Sequence, residues 1–427
     1  MNKNISEFIS FLDNSPSCYH ATANLVEMVR KAGYAQIHEH EDWTLQPGGK
    51  YFVVRGGTTL IAFRIPENAP RGFMMSACHV DRPTFKIKGE GELKGTYTRL
   101  STEGYGGMIM STWLDRPLSV AGRVLVETED GVSGRLINID RDMFLIPNVA
   151  IHMNRQVNSG YNWNPAVDTL PLVGSKEAAG KFNELLEKEA GGKILGRDLY
   201  LYVRQKASVW GVEEEYISSA ALDDLECAWA CTRGFLQAAQ TDAISMLCAF
   251  DDEEVGSNSP QGAASTLLAD TLNRICNALK LDPYRMLAQS FMISADNAHA
   301  IHPNHPEYAD PANAPVLGGG VVLKFNANQR YTTVGVSAAV FRKICKGVGV
   351  PVQDYCNRAD IPGGSTLGHI SLTHVSVPTA DVGLAQLAMH SCYETAAVKD
   401  LAYLETAMTA YYSATLTASE DGGCQIC

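Results

Sequence analysis

The stretch LCAFDDEEVGSNSPQGAAS, residues 247–265, joins an apolar run to four consecutive carboxylates and then to a Gly- and Ser-rich turn. The apolar run predicts a buried strand that ends at the acidic cluster. Ser259 and Pro260 are typical of the first residues of a helix, so a helix is expected after the turn. Because like charges repel one another, Asp251, Asp252, Glu253 and Glu254 require either open solvent or a bound cation.

The chain around this stretch predicts an α/β layer structure. From about residue 208 onward, short apolar runs alternate with segments of helical periodicity. The acidic cluster therefore lies at the carboxyl end of a strand, in the crevice where open α/β sheets bind ligands. Further strands are expected in QSFMISAD, PVQDYC and THVSVPTADVGL, and a C-terminal helix is expected with Leu401, Leu404, Met408 and Tyr411 on one face.

The middle of the chain differs in character from both ends. Residues 89–209 combine Gly-rich turns with alternating segments such as LSVAGRVLVE, which predicts a mostly β insertion. The earlier segment GFMMSACHV resembles the core strands of the later half. We therefore expect one discontinuous domain, residues 1–88 and 210–427, interrupted by a second domain, residues 89–209.

Composition excludes several classes of partner. The chain has 427 residues, 45% hydrophobic content, a net charge of −12 and a pI near 5.4, so nucleic acid and anionic membranes are not expected partners. No apolar run reaches the roughly 18 residues of a membrane span, and Glu7 and Asp13 interrupt any signal-peptide core. The 11 scattered cysteines predict buried thiols in a reducing compartment, so we expect a cytoplasmic protein.

The C-terminal CQIC admits three interpretations. It is a lone Cys-x-x-Cys, a prenylation signal or a frayed tail. It lacks a second pair of metal ligands and an upstream basic run, so we favour a frayed tail.

Five side chains at element ends form a candidate metal-ligand set. A calcium loop starting at Asp251 is excluded, because Val255 and Gly262 stand where side-chain ligands are needed. A pair of Zn²⁺ ions needs one bridging carboxylate, one nitrogen ligand for each ion and further carboxylates. The candidates that supply this set are His79, Asp223, Glu254, Asp296 and His390.

Two acids next to these candidates suit supporting roles. Asp81 lies two residues after His79, on the same side of an extended chain, so its carboxylate can orient the imidazole. Glu253 is not needed as a ligand and is free to act as general base. Ser391 and Glu394 match a capping box, which predicts that a helix begins just after His390.

These motifs together resemble the aspartyl aminopeptidase family of dinuclear zinc metallopeptidases (M18). The resemblance rests on segments in the family's order across nearly the whole chain: SACHVDRP, STWLDRPLSVAGRV, DDEEVGSNSPQGA, SADNAHAIHPN, NQRYTTVGVS, DIPGGSTLG and QLAMHSCYE. It implies a three-layer αβα metallopeptidase domain with a mixed central sheet, interrupted by a β-rich dimerisation domain. It also implies a homo-oligomer, a dodecamer built from dimers.

The resemblance also assigns roles to individual residues. It implies that His79 and Asp296 bind one metal ion, that Glu254 and His390 bind the other, and that Asp223 bridges them. Glu253 resembles the catalytic acid/base and Asp81 the residue that orients His79. The residues that match the family's substrate-binding positions, or lie beside them, are Lys324, Tyr331, His152 and His299. His152 matches a histidine that projects into a neighbouring subunit's active site.

Two positions depart from the family pattern. Asp224 stands where many members have Asn, and Asn258 where Glu is common. Both leave the ligand set intact, and Asp224 adds a negative charge that bears on the choice among Zn²⁺, Mn²⁺ and Co²⁺.

The resemblance implies hydrolysis of N-terminal Asp or Glu from peptides, with two divalent ions as cofactors and Zn²⁺ as the expected metal. A globally acidic protein that selects acidic side chains needs a local cation, and Lys324 is the candidate. Two alternatives remain: an aminopeptidase with broader specificity, and a metal-stabilised scaffold without activity. A serine hydrolase is disfavoured because the chain has no G-x-S-x-G motif.

Overall fold

The computed structural model describes residues 3–419 and 421–426. Its α-helices are α1 (Lys3–Asp13), α2 (Cys18–Lys31), α3 (Lys181–Ala190), α4 (Leu222–Gln237), α5 (Leu267–Leu279), α6 (Pro283–Leu287), α7 (Gly335–Gly347), α8 (Leu367–Ser371) and α9 (Val398–Tyr412). Its first eleven strands are β1 (Ala35–Gln36), β2 (Lys50–Arg55), β3 (Thr59–Arg64), β4 (Phe73–His79), β5 (Thr84–Leu93), β6 (Tyr97–Tyr105), β7 (Leu118–Thr128), β8 (Gly131–Asn138), β9 (Leu172–Ser175), β10 (Ile194–Val203) and β11 (Ser208–Trp210). The remaining strands are β12 (Tyr216–Ser219), β13 (Ile244–Phe250), β14 (Phe291–Ala295), β15 (Ala298–His299), β16 (Val321–Phe325), β17 (Val352–Cys356), β18 (Thr379–Gly383), β19 (Ala385–Leu387), β20 (Glu394–Ala397), β21 (Leu416–Ala418) and β22 (Cys424–Ile426).

A nine-stranded mixed sheet forms the centre of the molecule. Its strand order is β1-β2-β3-β13-β4-β14-β18-β16-β17. The neighbours β13, β4, β14 and β18 run parallel, whereas β3 and β16 pair antiparallel with them. Every residue of these four parallel strands is buried, in agreement with the mainly apolar sequences of β4, β13 and β14.

Helices cover both faces of this sheet. Side chains alternate along a strand, so Met74 packs into one hydrophobic cluster and Met75 into another. The first cluster includes residues of α1, α2, α4, α7 and α9, and the second includes residues of α5, α6 and α8. The predicted α/β fold with a mixed central sheet is therefore confirmed, with helices in layers on either side.

A separate antiparallel sheet occupies the middle of the chain. Its six strands have the order β8-β7-β10-β5-β6-β9, and they span residues 84–203. The sheet has its own hydrophobic cluster, to which Phe182 and Leu186 of α3 contribute. A third sheet, of order β11-β12-β20-β19-β15, combines two strands that follow the six-stranded sheet in the chain with three strands from the later half.

Two predicted helix starts are wrong. The helix expected at Ser259 begins at Leu267, because the Ser259 hydroxyl accepts the N–H groups of Gln261 and Gly262 and closes a tight turn instead. The helix expected after His390 is absent from the described residues there. Glu394 instead begins β20, whose backbone pairs with Ser219 of β12, so the chain continues here as a strand.

The chain end also differs from expectation. The tail predicted to be frayed forms β22, which pairs with β21, although Cys427 lies outside the described residues. The ten cysteines in the described ranges are all free thiols, and most are buried, as predicted. Within residues 3–419 and 421–426, no helix has both the length and the apolar character needed to cross a membrane.

Candidate metal centre

The candidate ligands come together at one edge of the central sheet. The parallel strands β4, β13 and β14 end side by side, and they place His79, Glu254 and Asp296 at their carboxyl ends. Asp223 lies in the first turn of α4, just after β12, and His390 lies between β19 and β20. All five side chains line one cavity of about 330 Å³.

The two oxygens of Asp223 face two different histidines. Oδ1 lies 3.5 Å from Nε2 of His79, and Oδ2 lies 3.5 Å from Nε2 of His390. His390 Nε2 is also 3.4 Å from Oε2 of Glu254. Two ligand atoms on a tetrahedral ion with bonds of about 2.0–2.1 Å are about 3.3–3.4 Å apart. The spacing therefore suits one ion beside each histidine, with Asp223 between them.

The polar atoms of this cluster support the fit to a cation. Asp223 Oδ1 and Glu254 Oε1 are buried and have no hydrogen-bond partner. Leaving such oxygens unpaired costs about 1–3 kcal/mol each, which a bound cation would offset. Burial, followed by the charge of Asp223, raises the pKa of Glu254 well above its usual range. This concentration of carboxylates beside two imidazoles is the donor set that Zn²⁺ accepts.

Asp224 lies closer to His79 than the sequence suggested. Two groups of side chains are near enough to hold an ion: His79 with Asp223 and Asp224, and Asp223 with Glu254 and His390. Asp224 Oδ2 accepts the backbone N–H of His79 at 3.1 Å, while its buried Oδ1 has no hydrogen-bond partner. Asp296 lines the same cavity, but its Oδ1 pairs with Nζ of Lys324 at 3.3 Å.

Both histidines are held by their second ring nitrogen. Nδ1 of His79 lies 3.2 Å from the backbone oxygen and 3.3 Å from Oδ1 of Asp81, as the spacing of the two residues predicted. Nδ1 of His390 lies 2.8 Å from the carbonyl oxygen of Gly107. Donation from Nδ1 in each ring leaves Nε2 free to bind a metal.

Sequence reasoning missed two supports of the site. Glu394 accepts the backbone N–H of His390 at 2.7 Å and that of Asp223 at 3.0 Å, so one buried carboxylate holds two candidate ligands. Gly107 comes from the segment after β6, far away in sequence. Glu394 was visible only as a local helix cap, and a glycine carbonyl leaves no signal in the side-chain pattern.

Glu253 lines the cavity but belongs to neither ligand group. Burial raises the pKa of its carboxyl to about 8; the charge of His79 opposes this rise, whereas Asp296 and Asp81 add to it. Its backbone N–H donates to Asp81 Oδ1 at 3.2 Å, which fixes the main chain beside the ligands. The side chain can therefore accept or release a proton at the edge of the site.

The four predicted substrate-binding residues differ in position. Lys324, Tyr331 and His299 line the cavity, and Lys324 is the only lysine or arginine among the described residues that do so. Lys324 is 1% exposed, so it is not a solvent-facing lysine. His152 is exposed on the segment between β8 and β9 and does not line the cavity, so its role in a neighbouring subunit stays a prediction.

The ammonium of Lys324 is fully engaged within the chain. It donates to the carbonyl oxygen of Asp296 at 2.7 Å, to Asp296 Oδ1 at 3.3 Å and to the carbonyl oxygen of Asn297 at 3.3 Å. It also lies 5.2 Å from the centre of the Tyr331 ring. A lysine has three N–H donors, so each has a partner in this arrangement.

Comparison with known proteins places the chain in one family. Residues 11–412 match the family model described as aminopeptidase I zinc metalloprotease (M18). A probable M18 family aminopeptidase 2 of Clostridium acetobutylicum is 42% identical, over 96% of this chain and 100% of that protein. The corresponding protein of Pseudomonas putida strain GB-1 is 38% identical, over 95% of this chain and 96% of that protein.

Solved structures agree with the sequence relatives. A chain in the cryo-EM structure of the Ape4 and Nbr1 complex is 34% identical with a TM-score of 0.92, covering 96% of this chain and 85% of that one. The S. cerevisiae mApe1 dodecamer gives 25% identity and a TM-score of 0.85, covering 96% of each chain. The chain therefore belongs to the M18 family of zinc metalloproteases and is an aminopeptidase.

Proposed function

We propose that this aminopeptidase removes N-terminal Asp and Glu residues from peptides with the help of two divalent metal ions. The observation that carries the proposal is a buried lysine, Lys324, in the wall of the cavity that holds the candidate ligands. The family supplies the aminopeptidase activity and zinc. The acidic specificity and the number of ions are our proposals.

The proposed ligand set follows from the positions of the side chains. His79 and Asp296 would hold one ion, Glu254 and His390 the other, and Asp223 would bridge them. Asp224 is close enough to His79 to replace or assist Asp296. The mixed nitrogen and oxygen donors suit Zn²⁺ and also accept Mn²⁺ or Co²⁺. When bound, the ions would polarise the scissile carbonyl and lower the pKa of the attacking water.

Glu253 would carry the proton during hydrolysis. Its carboxylate would accept a proton from the attacking water and deliver it to the nitrogen of the leaving amine. Asp81 would keep Glu253 in place, because it accepts the backbone N–H groups of Glu253 and Glu254 at 3.2 and 3.1 Å. The cavity has a volume of about 330 Å³, and Tyr331 and His299 are among the residues that line it.

Electrostatics supports a preference for acidic N-termini. The chain carries a net charge of −12, so an acidic side chain is repelled unless a local cation compensates. Lys324 provides that positive charge inside the cavity. Its hydrogen bonds go to Asp296 and Asn297, so it would attract a substrate carboxylate through its charge while it also braces a ligand.

The same hydrogen bonds favour a second candidate, an aminopeptidase with broader specificity. If Lys324 keeps all three contacts when substrate binds, no N–H remains to donate to a substrate carboxylate. Its charge would then be offset by Asp296, and neutral N-termini would be accepted as well. The two candidate functions therefore predict different ratios of kcat/KM for substrates with acidic and with neutral N-terminal residues.

The test compares Asp-starting and Ala-starting chromogenic substrates with the wild type and with Lys324→Met. We expect the wild type to prefer the Asp-starting substrate. In the variant, the kcat/KM for the Asp-starting substrate divided by that for the Ala-starting substrate should fall at least about tenfold, which corresponds to ~1.4 kcal/mol of discrimination. Lys343→Met, an exposed lysine on α7, serves as the control. A wild type without preference, or an unchanged ratio in Lys324→Met with its metal content intact, would reject acidic selection by Lys324.

We also propose that residues 89–209 form a dimerisation domain and that dimers assemble into a dodecamer. Support comes from the dodecameric state of the mApe1 relative and from exposed apolar side chains on this domain. These side chains are Val132, Leu136, Ile151, Met153 and Val167. They leave apolar surface that a second subunit can cover.

In that assembly, exposed His152 would reach a neighbouring subunit's cavity. We expect His152→Phe to lower activity while the metal content and the assembled mass, measured by sedimentation, stay unchanged. Full activity of the variant would argue against a shared cavity.

The free thiols of the described residues support a reducing, cytoplasmic location.

A further inference from the structure

Residues 105–109, which we call the strap, run from the end of β6 in the six-stranded sheet to the metal centre. The hydroxyl group of Tyr105 lies 2.7 Å from Oδ2 of Asp81 and 2.9 Å from Oδ1 of Asp252. Its ring meets the ring of Tyr200 in β10 edge to face, with centroids 5.5 Å apart. The Tyr105 ring therefore packs against the six-stranded sheet, and its hydroxyl group contacts the carboxylates that follow β4 and β13 in the chain.

Through Asp81, this hydroxyl group acts on the His79 side of the site. Asp81 is 2% exposed, and its two oxygens also contact Nδ1 of His79 and the backbone N–H groups of Glu253 and Glu254. Tyr105 supplies the side-chain hydroxyl donor to this carboxylate, in addition to the two backbone N–H groups. Loss of the hydroxyl group would weaken the hold on Oδ2, and with it the common support of the imidazole and the acidic loop.

The next residues of the strap act on the His390 side. The carbonyl oxygen of Gly107 accepts Nδ1–H of His390 at 2.8 Å, and the N–H of Ile109 donates to the carbonyl oxygen of His390 at 2.9 Å. Gly106, which lies between Tyr105 and Gly107, has φ of +73°, and a Cβ there would lie 3.1 Å from Cβ of Glu254. The strap thus touches both halves of the site, and its backbone passes close to a candidate ligand.

We propose that the strap is a positioning element, supplied by the six-stranded sheet, that aligns the ligands of both metal ions, with Tyr105 as its positioning residue. The inference rests on the proposed metal centre, because it concerns how that centre is held. Neither Tyr105 nor the glycines contact the reacting atoms in this role. The six-stranded sheet would then serve catalysis from within its own subunit, in addition to any part in assembly.

The experiment measures metal binding directly. The zinc dissociation constants of the full-length wild type and of Tyr105→Phe are determined by competition with a chromogenic chelator. We expect the variant to bind zinc about 10- to 100-fold more weakly, with a lower kcat and an unchanged KM. The absorption spectrum of the Co²⁺-loaded variant should also shift, because ligand angles change. Tyr97→Phe, a 60% exposed tyrosine at the other end of β6, should match the wild type in all measurements.

The outcomes separate this inference from the proposed function. A wild type that binds no zinc would reject the metal centre itself. A wild type that binds zinc, together with a Tyr105→Phe variant of equal affinity and identical Co²⁺ spectrum, would reject the strap alone. If Tyr105→Phe does not fold, judged by circular dichroism, Gly106→Ala takes its place in the same assay, because its added methyl group presses on Glu254. Unchanged zinc affinity in a folded Gly106→Ala protein would equally reject the strap.

Discussion

At the scale of single residues, Glu253 and Glu254 show how one peptide bond separates two roles. Glu254 points at His390 with an Oε2–Nε2 distance of 3.4 Å, whereas Glu253 lines the cavity outside both ligand groups. We expect Glu253→Gln to keep its zinc, because no proposed ligand is changed, and to lose about 10²- to 10⁴-fold in kcat. Steady-state kinetics and elemental analysis of the purified variant check this expectation.

The matched control is Glu254→Gln, which changes a proposed ligand. This variant should lose zinc as well as activity, so the two substitutions differ in metal content. Near-normal turnover by Glu253→Gln would show that another group carries the proton. Loss of zinc from Glu253→Gln would instead make Glu253 a ligand.

At the scale of elements, helix α2 contains a histidine in an unfavourable place for a positive charge. His20 is the third residue of the helix, where the helix dipole disfavours a cation, and its Nδ1 lies 2.8 Å from the hydroxyl oxygen of Ser17. Burial, and then the charge of Arg82, lowers the pKa of His20 to about 4. The unfolded chain binds this proton near pH 6.5, so the folded state loses stability as the pH falls from 6.5 towards 4.

We expect His20→Gln to reduce this acid sensitivity. Between pH 7 and pH 4.5 the variant should lose about 2 kcal/mol less unfolding free energy than the wild type. Urea unfolding at both pH values measures the difference, and His374→Gln, an exposed histidine whose imidazole is not buried, is the control. If the wild type and His20→Gln lose equal amounts of unfolding free energy between these pH values, the interpretation that burial keeps His20 unprotonated would be wrong.

The elements also show what the sequence could predict. Strands β4, β13 and β14 were predictable because strands buried on both faces have continuous apolar sequences. Convergence of the acids at their ends followed from the rule that parallel strands end at the same edge. The false helix at Ser391 shows the limit, because a Ser-x-x-Glu pattern cannot reveal that Glu394 holds Asp223, 171 residues away.

The same limit applies to the supports of the site. Tyr105 and Gly107 reach the candidate ligands from another sheet, and no local pattern predicts a contact between elements far apart in sequence. The proximity of Asp224 to His79 depends on how the start of α4 is oriented, which sequence spacing does not specify. The candidate ligands could thus be named from the chain, and so could Asp81 beside His79, whereas the contacts from Tyr105, Gly107 and Glu394 required the structure.

At the scale of the whole molecule, we expect the proposed metal centre to couple metal binding to stability and pH. In the metal-free protein, burial is the main cause that raises the pKa of Glu253 and of Glu394 to about 8 each. The pKa of His390 rises to about 9, because its contacts, led by Asp223, outweigh burial. Between about pH 4.5 and pH 9, these three groups therefore hold more protons in the folded metal-free protein than in the unfolded chain, and their contribution to stability falls as the pH rises.

Zinc binding should reverse this dependence, because it requires deprotonated carboxylates and neutral imidazoles. We expect the midpoint of thermal unfolding to be higher with zinc than after chelation at every pH, and the gap to widen from pH 5.5 to pH 8. Differential scanning calorimetry of chelated and zinc-restored samples of equal subunit concentration tests this, with activity as the check on reloading. A gap that stays constant or narrows with rising pH would mean that the buried acids do not meet around the metal, and the proposed ligand set would then fail with it.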